Sequence, residues 1–471
     1  MSQVNLITHN GNTIQLDTEV LGQSLRGSLC LPTDDDYNNT RMLWNAMIDR
    51  KPGLIVRCKG AADVMHAVKF ARDNNVLLAV RGGGHNIAGK ASCDGGLMID
   101  LSLMTSVRVD PKAHTVQVEP GALLSDVDKE TQAHGLATPL GINSTTGVAG
   151  LTLGGGFGWL SRKYGLTVDN LMSVDIVTAD GQLRHASVNE NADLFWAIRG
   201  GGGNFGVVTQ FEFRLHAIGT EVLSGLVVHP AENSEALLDQ YLNIAKQAPD
   251  ELSVWVVLRK APPLPFLAED WHGKDVLVFA ACYVGDMAEG ERALAPLRSL
   301  GTPIADVIGP HPFCGWQTAF DPLLESGARN YWKSHDFSSL NTEALAVIRD
   351  YAGRLPGPEC EIFIAQMGGQ SNRIDSDATA YPHRDTEFVL NVHTRWQDAN
   401  DDERCIKWAR EFFSDTEPYA NGGVYVNFMA DDETARVGNA YGSNFERLSK
   451  IKSEYDPDNL FRVNQNISPL K

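Results

Sequence analysis

Residues 80–96 read VRGGGHNIAGKASCDGG, with three consecutive glycines, Gly82–Gly84, directly before His85. The glycines close an apolar run, VLLAV at 76–80, so a segment patterned as a buried strand abruptly gives up its side chains. A glycine fixed in a fold loses more conformational entropy than any other residue, which is tolerated where the backbone turns sharply or something approaches too closely for a Cβ. A tight turn and the close approach of a ligand phosphate are the two readings.

Outward from this stretch, the chain alternates short apolar runs with amphipathic ones. Leu54–Cys58 (LIVRC) has the pattern of a buried strand, and Ala61–Arg72 places Val64, Ala67, Val68 and Ala71 at helical spacing. Val76–Val80 is the next strand, which makes a β-α-β unit. Then Ser106–Asp110 and Thr115–Glu119 alternate by twos around the turn residues PKAH, a hairpin, and Leu124–His134 is helical. The predicted class is α+β, not a regular doubly wound sheet.

A second block covers 216–420, with strand patterns at Val222–Val228, Leu252–Leu258, Val276–Tyr283, Glu361–Gln366 and Phe388–Val392. Helical patterns at Ser234–Gln247 and Met287–Ser299 lie between them, so the block reads as an antiparallel sheet flanked by helices. The expected organisation is a first domain over 1–215, an inserted domain over 216–420, and a return of 421–471 to the first.

Composition narrows the function classes. With 43% hydrophobic and 21% charged residues in 471, the chain is globular and long enough for two cores. Its net charge of −19 argues against nucleic acid and anionic membrane as partners. No stretch approaches the ~20 apolar residues of a membrane span, and MSQVNLITHNGNTIQL has neither the basic nor the apolar region of a signal peptide, so a cytoplasmic location is expected. Seven cysteines without CxxC spacing predict neither a disulfide framework nor a metal site.

Two further glycine clusters follow, Gly154–Gly156 with Gly158, and Gly200–Gly203 with Gly206. The string GGGNFG raises a dinucleotide-binding turn, but VVTQFEFRL after it has the composition of a strand where that motif needs a helix. No GxxxxGK[ST] string is present either. Three glycine loops remain whose backbone N–H groups are suited to cradle one large anionic ligand, such as a diphosphate, without lysine.

Six motifs give these loops a family resemblance: RGGGHNIAG at 81–89, GINSTTGVAGLTLGGGFG at 141–158, YGLTVDN at 164–170, LFWAIRGGGGNFGVVT at 194–209, YVNF at 425–428 and YDPDNLFRVNQNI at 455–467. In order and spacing they resemble the FAD-linked oxidases of the berberine bridge enzyme-like group, within the vanillyl alcohol oxidase / p-cresol methylhydroxylase superfamily. The resemblance implies a two-part FAD-binding domain of the p-cresol methylhydroxylase (PCMH) type built from both chain ends. It also implies that His85 bonds covalently to the flavin. Arg81, Gly82, Gly83, Gly84, Asn86 and Gly89 of the same loop are implied cofactor contacts. So are Asn143, Thr145, Gly147, Gly150, Gly154, Gly155, Gly156, Gly158, Tyr164, Asp169, Gly206, Val207, Asn427, Asn464 and Asn466. Many family members carry a cysteine where this chain has Asn143, so attachment through His85 alone is expected, with no second bond; Cys93 lies outside that motif.

For the chemistry, the resemblance places Thr146 beside the flavin edge that meets oxygen, and Tyr425 toward the substrate. Glu361 is the lone carboxylate on EIFIAQM, where a charge marks either a site or a strand at the rim. Tyr331, Trp332, Lys333, Asn391, His393 and Arg395 are further candidates, each read first as structural or solvated. The expected activity is hydride removal from a C–H beside O or N of a small molecule, with O2 reduced to hydrogen peroxide. A dehydrogenase using another acceptor, an oxygenating enzyme and a non-catalytic flavin carrier are the alternatives.

Overall fold

In the computed structural model, which describes residues 3–470, strand Leu54–Arg57, helix Ala61–Asp73 and strand Leu78–Arg81 follow one another as the periodicity predicts. The two strands are not neighbours, because Leu97–Asp100 lies between them and runs parallel to both. That strand, LMID, is buried at every position, so it carries no alternation by which to read it. The helix lays Val64, Ala67, Val68 and Ala71 against this sheet, where they are fully buried with Leu54, Val56, Leu97 and Ile99. The glycine loop at 82–84 therefore leaves the carboxyl end of a parallel strand, the place where open α/β sheets bind ligands.

The predicted hairpin forms from Val107–Asp110 and Thr115–Val118, and enters a five-stranded antiparallel sheet with Val207–Arg214, Leu171–Val177 and Leu183–Ser187. Gly206 opens directly into the strand Val207–Arg214, as its β-branched and aromatic content requires.

The third sheet has eight strands, all drawn from 221–396, and its pairings are antiparallel. Its two faces follow the period of two. Val254, Val256, Leu258, Ile362, Ile364, Leu390 and Val392 point into a core with the helices Ser234–Gln247, Met287–Arg298, Thr342–Ala352 and Asp402–Thr416. Trp255, Val257, Arg259, Glu361, Phe363, Asn391 and His393 point the opposite way, into a cavity. Strand Glu361–Gln366 pairs on both sides, so Glu361 stands inside the sheet and not at its rim.

The chain ends on helix Phe445–Tyr455 and an extended tail. Lys452 Nζ donates to the Asn204 carbonyl at 2.6 Å and to Asp456 at 2.6 Å, and Asn204 Oδ1 accepts from the Ile467 amide at 2.9 Å. The tail is thereby fixed against the third glycine loop.

Candidate active site

The cavity lies between the glycine loops and the face of the large sheet turned away from its helices, and takes in about 2570 Å³ of empty space, its open mouth included. Gly82, Gly83, Gly84, His85, Asn86, Asn143, Thr146, Gly147, Gly150, Gly154, Gly206 and Val207 line one side, with Tyr425, Asn427 and Asn464; Glu361 lines the other. All three glycine clusters thus contribute to one hollow.

In the first loop the close approach comes from the chain itself. A Cβ on Gly83 would lie 2.5 Å from Gly147 Cα, so the first two glycine loops are packed backbone against backbone. The Gly84 carbonyl accepts from the Trp44 amide at 3.1 Å, and the Trp44 ring stacks on His85 with centroids 4.2 Å apart. His85 is half-buried on the cavity wall, and its Nε2, itself buried, has no hydrogen-bond partner. Burial, and secondarily Arg395, pushes the imidazole down to about 3, so it is neutral with a free lone pair. The sequence offered no sign that Trp44 would be the partner.

In the second loop, Asn143 Oδ1 accepts from Thr145 N at 3.1 Å and Thr145 Oγ1 at 2.7 Å. Thr146 N donates to the Asn143 carbonyl at 3.1 Å, and its own carbonyl accepts from Leu124 N at 2.9 Å, fixing the backbone from which its side chain meets the cavity. Asp321, from the 216–420 block, accepts from both Ser144 N and Ser144 Oγ and ties that block to the loop.

Tyr425 is buried among Phe157, Phe428 and Tyr381. Its oxygen accepts from Gly156 N at 3.2 Å and Asn427 Nδ2 at 2.9 Å. Burial raises the phenol to about 12 despite those two donors, so it stays protonated and retains one hydrogen to donate. Asn427 sits where a Cβ on Gly154 would be, 2.2 Å from its Oδ1, which explains that glycine. In the tail, Asn464 Oδ1 and Gln465 Oε1 line the cavity region without partners; Gln465 was not foreseen, being one position off the asparagine pattern.

Glu361 is held by Arg259, whose Nη1 lies 2.7 Å from Oε2, and by His393, whose Nδ1 lies 3.1 Å from Oε1. Burial would raise this carboxyl, but Arg259, His393 and Arg395 outweigh it and hold it at about 2. Near neutral pH such a group is fully ionised and a weak proton acceptor, which argues against Glu361 as the base itself.

Several expected contacts do not line the cavity. Arg81 ends its strand with its guanidinium on the Thr40 carbonyl and 4.0 Å from Asp100. Gly89, Gly155, Gly156 and Gly158 face Ile48, Tyr381, Thr167 and the Leu140 carbonyl, so they serve close packing of the chain. Thr145 is exposed. Tyr164 stacks on His216, and Asp169 forms a buried two-pronged pair with Arg384 at 2.7 and 2.8 Å. Asn466 Oδ1 is buried and unpartnered, but away from the lining.

Comparison with known proteins gives the chain's family. The family model described as "FAD binding domain" matches residues 52–187, and the one described as "Berberine and berberine like" matches 424–468. The chain is 32% identical over 455 residues to an FAD-linked oxidoreductase of Dictyostelium discoideum, covering 95% of this chain and 96% of that one. It is 30% identical to (R)-6-hydroxynicotine oxidase of Paenarthrobacter nicotinovorans, over 95% and 97% of the two chains. The crystal structure of 6-hydroxy-D-nicotine oxidase from Arthrobacter nicotinovorans superposes with a TM-score of 0.86 at 28% identity, covering 95% of this chain and 99% of that one. The chain belongs to the berberine bridge enzyme-like family of FAD-linked oxidoreductases.

Proposed function

We propose that this FAD-dependent oxidoreductase is an oxidase whose flavin is attached through His85 alone, and that it oxidises a small organic substrate in the cytoplasm. The observation that carries the reading is His85: a neutral imidazole whose buried Nε2 has no partner, on the wall of a large cavity and beside the glycine cradle. A buried polar atom without a partner is costly, and a bond to a resident group removes that cost.

The residues present fit FAD. Glycine backbone at 82–84, 147, 150, 154 and 206 leaves room for a diphosphate, and the unpartnered oxygens of Asn464 and Gln465 suit the polar edge of a flavin ring. With Asn143 in the second loop, no thiol stands where a second bond would form. When bound, FAD supplies the ring system that accepts a hydride from a C–H beside O or N and passes the electrons to O2, giving H2O2. Tyr425, with two hydrogen bonds accepted, donates its remaining hydrogen toward the substrate. Thr146 shapes the approach of oxygen. In this reading 1–215 and 421–471 form the FAD-binding domain and 216–420 the substrate domain.

Denaturation in acid tests the attachment. The yellow band is expected to stay with the polypeptide, and a single flavin-bearing peptide should contain His85. In His85→Ala the band should be released. A flavin peptide containing Cys93, or a band released from the unaltered protein, would overturn the assignment.

A further inference from the structure

The wall of the large sheet carries a pair of groups that the sequence left apart. The register of adjacent strands sets Glu361 directly opposite His393, and Trp332 opposite His393 on the far side. His393 Nδ1 lies 3.1 Å from Glu361 Oε1, and the Trp332 ring packs edge-on against the imidazole at 4.8 Å. His393 lines the cavity, is 4% exposed, and its Nε2 has no hydrogen-bond partner. An ionised carboxylate only accepts, so Nδ1 carries the hydrogen and the lone pair lies on Nε2.

Glu361 has no charge to spare for a cationic ligand, because Arg259 already meets Oε2 at 2.7 Å. Tyr425 is a donor. Around this wall the lining is apolar and aromatic, with Trp255, Val257, Leu264, Phe266 and Phe363. Two unpartnered acceptors face the cavity from this strand, His393 Nε2 and Asn391 Oδ1, and of the two only the imidazole nitrogen is basic enough to take a proton.

We propose that His393 takes the proton from the substrate's O–H or N–H, with Glu361 as the positioning residue behind it. This rests on the oxidase reading above. The bookkeeping of atoms is complete: the substrate's O–H or N–H bond breaks and its proton bonds to Nε2, while the adjacent C–H leaves with its electron pair to FAD, the two-electron oxidant. A C=O or C=N double bond forms. The imidazolium is met by Glu361, and its proton later returns to solvent. The charged groups facing His393 are Glu361 on the next strand, Arg259 on the strand beyond it, and Arg395 on its own strand.

The FAD-loaded protein is titrated with 4-nitrophenol, a flat apolar phenol whose ionised form is read from its own absorption band, between pH 5 and 8. Bound to the unaltered protein, the probe is expected to ionise about one pH unit below the free compound. His393→Gln should bind the probe and abolish that shift; Glu361→Gln, which keeps a partner on Nδ1 without its charge, should reduce it by at least half. If His393→Gln does not accumulate, His393→Asn carries the same reading. A shift that persists without the imidazole, a probe bound only as the neutral phenol, or no binding at millimolar concentration would overturn the proposal. Flavin content and acid-stable attachment are scored on the same preparations. A protein that releases its flavin in acid yet shifts the probe therefore fails the reading of His85 and not that of His393.

Discussion

Gly83 and Gly147 stand back to back: a Cβ on the first would lie 2.5 Å from the Cα of the second, and a Cβ on the second 2.5 Å from the amide nitrogen of the first. Both neighbours are backbone and cannot swing aside. Gly83→Ala and Gly147→Ala should each destabilise the protein by about 1–3 kcal/mol, the range for forced overpacking. They should also lower the fraction of protein carrying FAD, since the displaced loop bears His85. Thermal unfolding and the ratio of flavin to protein absorbance measure the two effects. Gly150, where a Cβ meets nothing within 4 Å, lies in the same cradle and is the internal comparison: Gly150→Ala should cost far less stability.

The tail is fastened from inside. Lys452 and Asp456 are both fully enclosed, and the ammonium serves the Asn204 and Phe461 carbonyls as well as the carboxylate. Removing one partner strands the other in a medium of low dielectric, which costs about 3–5 kcal/mol. Lys452→Met is therefore expected to unfold well before the unaltered protein and to be recovered with little flavin, because Asn204 and Gln465 on the cavity wall lose their support. Denaturant unfolding followed by tryptophan and flavin fluorescence reads both. Equal stability would show that the buried pair contributes nothing.

Asp128 gives a pH dependence with a definite sign. Its carboxyl is entirely buried on helix Leu124–Gln132, with one hydrogen bond, from Gln317 Nε2 at 3.1 Å. Burial pushes it up to about 7, a little offset by that bond. Below about pH 4 the group is protonated whether folded or unfolded, and it has no differential effect. Between there and pH 7 the folded state holds the proton more tightly, so its contribution to stability falls as pH rises, and the loss is complete above pH 7. Asp128→Asn keeps an acceptor for Gln317 without the charge. It should stabilise by about 1–3 kcal/mol at pH 8, the amide's unpaired N–H limiting the gain, and by nothing at pH 4. Melting curves at the two pH values decide it.

How much of this the sequence disclosed depends on the range of the information. Local pattern and composition were sufficient for Ala61–Asp73, for the hairpin at 107–118 and for five strands of the large sheet, but not for its strands Ala305–Asp306, Gly309–Pro312 and Arg329–Phe337. They failed at Leu97–Asp100, buried on both faces and so without a pattern. The motif residues divide by the same logic. Asp169 and Tyr164 sit in a family string, but their partners, Arg384 and His216, are distant in sequence, and those partners hold them away from the cavity. His393 and Glu361 lie 32 residues apart, and only the strand register makes them neighbours. The register, not the string, tells what a residue touches.

Thr146 and Tyr425 should separate the two halves of the catalytic cycle. Thr146 is half-buried, lines the cavity, and hangs from a backbone fixed to Asn143 and Leu124. Thr146→Ile adds bulk and removes a hydroxyl without disturbing those two bonds, so the reduced enzyme should react with O2 about tenfold more slowly, an added barrier of about 1.4 kcal/mol. Reduction by substrate should change little. Tyr425→Phe should do the reverse: it deletes the hydrogen available to the substrate and leaves Gly156 N–H without its acceptor, so reduction slows while reoxidation is kept. The same loss should cost about 1–3 kcal/mol of stability, since the stranded N–H is buried. Stopped-flow reduction under nitrogen and reoxidation with dissolved O2, each followed at the flavin band, measure the halves independently. If Thr146→Ile slows reduction and leaves the reaction with O2 untouched, Thr146 faces the substrate, and the oxygen path lies on another wall of the cavity.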